Sequence, residues 1–354
     1  MAQNSENQAA WLPASQVTPL QISPAPYPTP GPGQLVVRNG ALGINPIDWV
    51  KQMLGEVLLS YVKYPIVIGE DISGTVVAVG EGVSRFRIGD RVVAIAAAIT
   101  SNNPAEGGFQ LYTLAREWLT TPLPEHVSFE QAAALPLALL TSSMGLFGKG
   151  YLGLDLPTVP ARSTIGADGK SPRVVIIAGG ASAVGGTAVQ LAASAGYEVV
   201  STASPKNFEH VRRLGATHVF DYKSATLVED LIAAVRGSQL CGGFCIGDGT
   251  ADQLAEVMTR HEGPGPTNKR IARAEGKHSV ESSSGVDVNF IINDISPESP
   301  ARPIFEQFLP SALAERQFVP APEPIIVGKG LDKIQDAFLV HKQGVSAKKV
   351  VVTL

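Results

Sequence analysis

The sequence predicts an α/β protein with two domains, one built mainly from antiparallel strands and one from a doubly wound parallel sheet. Three observations carry this prediction. The chain has 354 residues, which at roughly 100–200 residues per domain suggests about two domains. Short β-branched runs separated by glycine turns fill the first third of the chain. From residue 173 onward, apolar strands alternate with helices, as in a parallel sheet covered by helices.

The composition excludes several classes of protein. Hydrophobic residues make up 44% of the chain and charged residues 17%, whereas an intrinsically disordered chain needs low hydrophobicity and high net charge. The formal net charge of -4 argues against a broad surface for nucleic acid or anionic membranes. Cys241 and Cys245 are too few for a disulfide framework, and we expect both on a buried strand. With no secretory leader and no long apolar run, the expected location is cytoplasmic.

The first domain is predicted from strand and turn signals. Residues 1–35 are rich in proline and are expected to be irregular, with turns and an extended run. Runs at 34–44, 71–80 and 90–99 combine β-branched with small residues and end in glycine turns, so they predict antiparallel strands up to about residue 122. The spacing then becomes helical, and Ser128 is the predicted N-cap residue of the helix that follows.

The second domain is predicted from a regular alternation of strands and helices. The helix at 205–216 opens on proline and closes on glycine. Residues 259–285 are polar and predict a loop or insertion, and 287–295 predict one more strand. The tail predicts a helix and a last strand that return to the first domain. The alternating elements are strands 173–179, 197–204, 218–222 and 240–247, and helices 183–196, 205–216 and 226–237. The predicted domains are residues 1–140, completed by 320–354, and residues 141–319.

A glycine-rich turn between the first strand and helix of this alternation predicts a dinucleotide site. Glycine allows positive φ and close approach of the backbone to a pyrophosphate, and a helix N-terminus offers free N–H groups. The literal G-x-G-x-x-G spacing is not met, so a purely structural tight turn is the alternative. The predicted cofactor-binding residues of this turn are Gly179, Gly180, Ala181, Ser182, Ala183, Val184 and Gly185.

The end of the second strand predicts NADPH rather than NADH. An NAD site places an acidic residue there for the ribose 2′-hydroxyl, but residues 201–204 are Ser-Thr-Ala-Ser. A 2′-phosphate could instead contact Ser204, Lys206 and Asn207. The alternative is that Lys206 is a solvated residue, although a cation near a helix N-terminus opposes the helix dipole. Tyr222, after the third strand, is predicted beside the adenosine or else as a half-buried aromatic residue.

A resemblance to a known family covers the chain from about residue 30 to its end. On the landmarks below, the chain resembles the zinc-independent medium-chain dehydrogenase/reductases of the quinone oxidoreductase and enoyl reductase branch, and is similar to fungal secondary-metabolite dehydrogenases and trans-acting enoyl reductases. The resemblance implies a GroES-like β domain and a Rossmann NADP-binding domain, with a cleft between them for nicotinamide and substrate. The landmarks are residues 43–49, 69–92, 135–147, 179–185, 201–208, 213–222 and the ending from 330.

The resemblance also implies that no metal is bound. Zinc-dependent relatives carry a cysteine beside the segment that matches 44–48, and a histidine in a Gly-His-Glu motif. Here Asn45 stands near the first position, and the second motif is Gly69-Glu70-Asp71. The four clustered cysteines of a structural zinc site are missing, and a tetrahedral zinc centre needs thiolate or imidazole ligands. Glu70 and Asp71 are expected to hold local backbone or to pair with arginines, and the alternative is that they act as oxygen ligands of a metal.

Six further site residues are carried over from the resemblance. For Asn45 and Asp48 the alternative is an Asn-Pro turn with a helix-capping aspartate, and for Ser346 it is a turn before the final strand. Lys51 lies one residue later than the lysine of several fungal relatives. The implied catalytic residues are Asn45, Lys51 and Tyr61, and the implied cofactor-binding residues are Asp48, Thr141 and Ser346.

The expected activity follows from the absent zinc ligands. Without a Lewis acid, hydride transfer from NADPH to a carbon–carbon double bond conjugated to a carbonyl is the natural chemistry. The resemblance implies a trans-acting enoyl reductase of fungal polyketide biosynthesis, with a carrier-bound enoyl substrate and a polyketide synthase as partner. A stand-alone dehydrogenase for a free small molecule, and an inactive NADPH-binding or sensing protein, are the alternatives. The chain is expected to be a monomer or a homodimer.

Overall fold

The computed structural model describes residues 6–166, 169–247, 250–274 and 285–354. The chain divides into two units. The first, here called the β unit, consists of residues 1–137 and 320–354. The second, here called the α/β unit, consists of residues 138–319. The first boundary thus falls three residues before the one predicted at 140/141, and the catalytic and cofactor-binding roles of the two parts remain predictions.

The strands are numbered in chain order. Those that precede the α/β unit are β1 (Asn7–Leu12), β2 (Gln21–Ala25), β3 (Gln34–Gly43), β4 (Ile66–Val67), β5 (Asp71–Val79), β6 (Arg91–Ile95), β7 (Tyr112–Arg116) and β8 (Thr120–Pro122). Those of the α/β unit are β9 (Arg173–Ala178), β10 (Glu198–Ala203), β11 (His218–Asp221), β12 (Gln239–Cys245), β13 (Arg270–Arg273) and β14 (Asp287–Phe290). The tail adds β15 (Glu323–Lys329) and β16 (Lys348–Thr353).

The helices are numbered in the same way. They are α1 (Pro46–Leu54), α2 (Ala98–Ser101), α3 (Phe129–Ala132), α4 (Pro136–Phe147), α5 (Ala183–Ser194), α6 (Phe208–Arg213), α7 (Leu227–Ala234), α8 (Thr250–Arg260), α9 (Leu309–Ala314) and α10 (Ile334–Lys342). Short 3₁₀ turns cover Gly55–Val57, Pro104–Glu106, Glu117–Leu119, Pro205–Asn207 and Leu331–Lys333, and a π-helical turn covers Ile304–Phe308. Within the described ranges, no helix combines the length and the apolar character needed to cross a bilayer.

The β unit contains two sheets. The larger has the order β15-β16-β3-β5-β6-β8, with β7 also paired to β3, and the smaller has the order β2-β1-β4. The expectation of an irregular segment with an extended run at 1–35 was wrong in part, because two paired strands, β1 and β2, lie within it. Pro24 is tolerated because β2 is an edge strand, where a missing N–H costs no ladder hydrogen bond.

The tail of the chain completes the β unit, as the sequence predicts. Strand β16 pairs antiparallel with β3, and α10 packs into the same core, where the rings of Phe109 and Phe338 lie 5.8 Å apart. In the same unit, the hydroxyl of Ser128 accepts a hydrogen bond from the Gln131 N–H at 3.2 Å, which confirms the predicted cap of α3. Gly43 at the end of β3 pairs with Asp71 of β5 and with Val351 of β16, so the start of α1, which follows β3 in the chain, lies in the region of both strands.

The α/β unit has one sheet of six strands in the order β11-β10-β9-β12-β13-β14, with every pair parallel. The order reverses between β9 and β12, which is where doubly wound folds bind ligands. The predicted loop at 259–285 is wrong in part, since β13 lies within it; residues 275–284 are outside the described ranges. Strand β14 ends at Phe290, earlier than predicted, and Ile292 beyond it is 72% exposed. Cys245 is buried on β12, as expected.

Candidate functional site

Polar and charged side chains from three distant parts of the chain meet inside the β unit. Asp48 and Asp71 have no exposed surface, Lys349 is 4% exposed and Lys51 5%. The Glu70 side chain is 16% exposed, the most in the group. Such groups are seldom buried unless they are paired. The group, called the buried cluster, consists of Asn45, Asp48, Lys51, Glu70, Asp71 and Lys349.

Asp71 is the best-bonded member of the buried cluster. Its Oδ2 accepts hydrogen bonds from Lys349 Nζ at 2.6 Å and from Asn45 Nδ2 at 2.9 Å. Its Oδ1 accepts from the Leu137 N–H at 2.7 Å. Lys349 Nζ also donates to Asn45 Oδ1 at 2.7 Å. The Asn45 side chain thus donates to Asp71 and accepts from Lys349, so it positions both members of the ion pair. It has few hydrogen-bonding positions left for a ligand.

Lys51 forms a second ion pair, with Glu70. The expectation that Glu70 and Asp71 hold local backbone or pair with arginines was wrong, because the ion-pair partners are lysines and the backbone N–H bound by Asp71 belongs to Leu137, 66 residues away in the sequence. Lys349 was missed by the sequence analysis. A signal was present, since a lysine at the start of the apolar strand β16 has to find a carboxylate if its side chain turns to the core.

Asp48 holds the start of α1. Its Oδ2 accepts a hydrogen bond from the Asn45 N–H at 2.8 Å, whereas its Oδ1 is buried without a hydrogen-bond partner. Burial, and then the nearby Glu70 carboxylate, raise the pKa of Asp48 to about 8. The hydrogen bond to the Asn45 N–H is the contact expected of the helix-capping alternative, and the implied cofactor contact of Asp48 stays a prediction.

Next to the buried cluster, α1 is fastened to α10. Trp49 Nε1 donates a hydrogen bond to His341 Nδ1 at 3.2 Å, and Lys342 Nζ lies 5.1 Å from the centre of a Trp49 ring. Burial, aided by the positive charge of Lys349, lowers the pKa of His341 to about 4. The imidazole is therefore neutral at pH 7 and can accept the indole N–H.

Two predicted site residues lie elsewhere in the β unit. The Tyr61 side chain is 53% exposed and, in the part of the chain that the structure describes, forms no hydrogen bond with the buried cluster. Its backbone oxygen accepts from Asn102 Nδ2 at 3.2 Å. Ser346 is exposed in the turn between α10 and β16. A catalytic role for Tyr61 and a cofactor contact for Ser346 both stay predictions.

In the α/β unit, the glycine-rich turn joins β9 to the N-terminus of α5. Gly179 has φ +88°, and a Cβ on Gly185 would lie 2.1 Å from the Gly179 oxygen, so neither position suits a larger residue. Ser182 caps α5, accepting from the Gly185 N–H at 3.0 Å and donating to the Gly179 oxygen at 2.9 Å. Residues 181–184 keep partial exposure. A twelve-residue helix with an accessible first turn fits an anionic diphosphate.

The residues predicted around the 2′-phosphate lie together at the carboxyl ends of β10 and β11. Ser204 Oγ lies 3.5 Å from the Tyr222 hydroxyl. Lys206 is exposed in the 3₁₀ turn Pro205–Asn207, and the Tyr222 ring is 45% exposed. Strand β10 ends in hydroxyl-bearing and small residues, without a carboxylate. A phosphate monoester would meet a hydroxyl group and an ammonium group here, which fits NADP.

Thr141 on α4 belongs to the α/β unit. Its Oγ1 accepts a hydrogen bond from Asn293 Nδ2 at 3.2 Å, so the hydroxyl hydrogen stays available for another acceptor. The neighbouring Ser142 donates to the Val184 oxygen in the first turn of α5 at 2.8 Å. The sequence analysis missed Asn293, for which no motif gives a signal.

The buried cluster is poorly suited to zinc. No three histidine, cysteine or acidic side chains are grouped as metal ligands anywhere in the described ranges. Glu70 and Asp71 each face a lysine ammonium, and a divalent cation bound between them would be repelled by both. The donor set therefore differs from the thiolate and imidazole ligands that zinc prefers.

Comparison with known proteins identifies the family. Residues 31–125 match the model of the alcohol dehydrogenase GroES-like domain. The dehydrogenase pigH of Monascus ruber is 42% identical over 98% of this chain and 99% of its own length. The dehydrogenase azaJ of Aspergillus niger is 44% identical, with the same coverage. The trans-enoyl reductase himH of Aspergillus japonicus is 32% identical over 98% of this chain and 97% of its own.

Solved structures agree on the fold. An alcohol dehydrogenase superfamily protein from Novosphingobium aromaticivorans has a TM-score of 0.75 at 22% identity and covers 98% of this chain and 99% of its own. The CurK enoyl reductase has a TM-score of 0.71 at 21% identity and covers 99% of both chains. The GroES-like β domain, the doubly wound Rossmann sheet and the similarity to these relatives all indicate the same family. The chain belongs to the medium-chain dehydrogenase/reductase family of oxidoreductases, which use a nicotinamide cofactor.

Proposed function

We propose that this oxidoreductase is an NADPH-dependent, zinc-independent reductase of carbon–carbon double bonds conjugated to a carbonyl. We further propose that it acts in trans on an enoyl intermediate of a fungal polyketide synthase. The observation that carries the proposal is the pairing of Glu70 with Lys51 and of Asp71 with Lys349. Support also comes from relatives such as himH, which is named a trans-enoyl reductase.

The two ion pairs favour a reaction without zinc. A zinc-dependent alcohol oxidation needs a Lewis acid that polarises the substrate oxygen. In the buried cluster the carboxylates are already neutralised by lysines, so a metal ion would have to displace an ammonium group that is hydrogen-bonded in place. Reduction of an activated double bond needs no such ion, because the carbonyl already stabilises the negative charge that develops.

NADPH, when bound, supplies the hydride. The turn at residues 179–185 and the first turn of α5 hold the diphosphate, and the Thr141 hydroxyl donates to a cofactor oxygen. Ser204, Lys206 and Asn207 hold the 2′-phosphate, and Tyr222 packs beside the adenosine. These assignments are the roles predicted from the sequence. They are supported by the positions of the residues at the carboxyl edge of the parallel sheet or beside α5.

The product needs a proton as well as a hydride, and Lys51 is our candidate donor. Its ammonium is paired with Glu70, the most exposed member of the buried cluster, so this pair is the part of the cluster that solvent or substrate can reach. Asn45 orients Asp71 and Lys349 and has no acidic hydrogen to give. Tyr61 is the second candidate, since its half-exposed phenol can reach a substrate without leaving a buried network.

A second candidate function is that of a stand-alone dehydrogenase for a free small molecule. The relatives pigH and azaJ, which are 42% and 44% identical, carry the name dehydrogenase rather than enoyl reductase. A catalytically inactive NADPH-binding or sensing protein is the remaining alternative, and a monomer or homodimer is compatible with all three.

The decisive experiment follows NADPH consumption by its absorbance. We expect turnover with an α,β-unsaturated thioester bound to an acyl carrier protein, and slower turnover with the free thioester mimic. Equal or faster turnover of free enones or quinones would favour the stand-alone dehydrogenase. Tight NADPH binding without turnover of any substrate would favour the sensing protein, and zinc at one equivalent in the active enzyme would contradict the metal-free proposal.

A further inference from the structure

The buried cluster has an odd number of charges. Glu70, Asp71 and Asp48 are acids, and Lys51 and Lys349 are bases, so full ionisation would leave three negative and two positive charges. Four of the five groups are at most 5% exposed, and the side chain of Glu70 is 16% exposed. An uncompensated charge in such a place is costly, and a buried group in this situation takes up a proton instead.

Hydrogen bonding indicates which of the three acids carries the extra proton. Asp71 accepts from two side chains and one backbone N–H, and Glu70 is paired with Lys51, so both are stabilised as carboxylates. Asp48 has one donor, the Asn45 N–H, and its Oδ1 is buried without any partner. An anion with a bare, buried oxygen is the least stable of the three.

The surrounding charges act in the same direction. Burial is the largest influence on Asp48, and the Glu70 and Asp71 carboxylates add to it, so the pKa rises to about 8. Lys51 and the Asn45 N–H oppose this rise without cancelling it. On the far side of the cluster the Lys349 ammonium is held by Asp71, and His341 is neutral beside it.

We propose that Asp48 is a neutral carboxylic acid at pH 7 and that its ionisation state sets the charge around the Lys51–Glu70 pair. Asp48 and Lys51 are three residues apart on α1, so their side chains lie on the same face of the helix. This role rests on the proposed reductase function, in which Lys51 donates a proton to the substrate. Asp48 itself does not touch the substrate, so it is a positioning residue.

Protonation of Asp48 closes the charge balance of the buried cluster. Glu70 and Asp71 then face Lys51 and Lys349, which makes two charges of each sign. Among the contacts of the described residues, no hydrogen bond or ion pair joins Asp48 to Lys51, so Asp48 acts on the ammonium through its charge alone. When the pH rises through about 8 and Asp48 loses its proton, a third negative charge appears beside the Lys51–Glu70 pair.

The protonation state can be tested without any substrate, by infrared spectroscopy of the whole protein. At pH 6 we expect a carbonyl band of a protonated carboxyl group that disappears as the pH rises through about 8. Asp48→Asn should lack the band at every pH, because the amide cannot titrate. Glu125→Gln, which removes an exposed acid of the same unit, should keep it.

A second variant tests the protonation state of Asp48 even if Asp48→Asn folds poorly. Glu70→Gln removes a negative charge that faces Asp48, so the band should then disappear at a lower pH than in the wild-type protein. A wild-type protein without a protonated carboxyl band at pH 6 would overturn the proposal. So would a band that survives in Asp48→Asn or does not move in Glu70→Gln.

Kinetics test the effect of this charge on Lys51. Asp48→Asn stays neutral at every pH, so we expect it to bind NADPH within about twofold of the wild-type affinity and to have an altered alkaline limb of the kcat profile, since no ionisation near pH 8 remains beside the proton donor. A kcat profile identical to that of a wild-type protein whose infrared band confirms a neutral Asp48 would overturn the positioning role. Because the band is measured without substrate, failure of the proposed reductase activity would be recognised separately.

Discussion

The phosphate loop of the α/β unit and the buried cluster of the β unit are two polar sites built in different ways. The loop uses backbone groups and side chains that are close in sequence, such as the Ser182 hydroxyl and the Gly185 N–H. The cluster joins Asn45 to Asp71 across 26 residues and to Lys349 across 304. A site built from neighbouring residues can be recognised as a motif in the sequence. A site built from distant side chains appears in the sequence only as isolated charged residues.

The two sites also differ in what limits substitution. In the loop, space is limiting, because backbone atoms approach where a Cβ would stand. In the cluster, charge balance is limiting, because each ammonium is paired with one carboxylate in a largely buried region. Substitutions that test the cluster should therefore act mainly on stability, and those that test the loop mainly on cofactor binding.

The largest expected effect is that of Lys349→Met. The substitution leaves the Asp71 carboxylate buried without its counter-ion, which costs about 3–5 kcal/mol. Urea unfolding at pH 7 measures the loss. Lys348→Met is the matched control, since the adjacent exposed lysine pairs with Glu323 at the surface and should contribute at most about 1 kcal/mol. Equal losses in the two variants would contradict the charge-balance explanation.

The next effect is that of Gly185→Ala in the phosphate loop. The added methyl group would lie 2.1 Å from the Gly179 oxygen, so the loop has to shift, at a cost of about 1–3 kcal/mol in stability. We expect NADPH binding, measured by the fluorescence of the bound cofactor, to weaken by at least about tenfold, or about 1.4 kcal/mol. Gly150→Ala, where a Cβ meets no atom within 4 Å, is the control. Unchanged NADPH affinity in Gly185→Ala would contradict the loop's role.

A smaller and more selective effect is expected for Lys206→Ala. Loss of one charge-assisted contact with the 2′-phosphate should weaken NADPH binding by about tenfold, since such contacts contribute about 1.5 kcal/mol or more. NADH, which lacks this phosphate, should bind as before. Lys149→Ala removes another exposed lysine of the same unit and should change neither affinity. If NADPH affinity is unaffected by Lys206→Ala, the preference for NADPH has to come from other residues.

The smallest effect is a pH dependence that comes from His341. Its pKa of about 4 in the folded protein lies below the unfolded value of 6.5, so the unfolded state binds a proton more readily between these limits. The contribution to stability is therefore present above pH 6.5 and lost as the pH falls towards 4. Because the imidazole is only partly buried, we expect a loss below about 1 kcal/mol.

Replacing the titrating ring tests this dependence. In His341→Asn the difference in stability between pH 6.5 and pH 4 should be smaller than in the wild-type protein, as measured by urea unfolding at both values. His126→Asn, at an exposed turn, should leave the difference as it is. An unaltered difference in His341→Asn would show that other groups govern acid stability.

The comparison of the two sites also explains which sequence predictions succeeded. The alternation from residue 173 onward correctly predicted the parallel sheet, and Ser128 was correctly predicted as a cap, because both depend on local patterns. The prediction of an irregular segment at 1–35 was wrong in part, because the proline content does not reveal that an extended run there pairs as β1 with β2 and β4. Strand β13 was missed because four residues in a polar stretch gain their strand structure from β12 and β14.

By itself the sequence determined the fold class, the glycine turn before α5 and the absence of a carboxylate after β10, since each is a property of neighbouring residues. Only the tertiary structure decided that Lys349 reaches Asp71, that Lys51 pairs with Glu70 and that Asp48 is left with a buried, unpartnered oxygen. The physical reason is that the energy of a buried charge depends on which charges surround it in space. Here those neighbours come from α1, β16 and the start of β5.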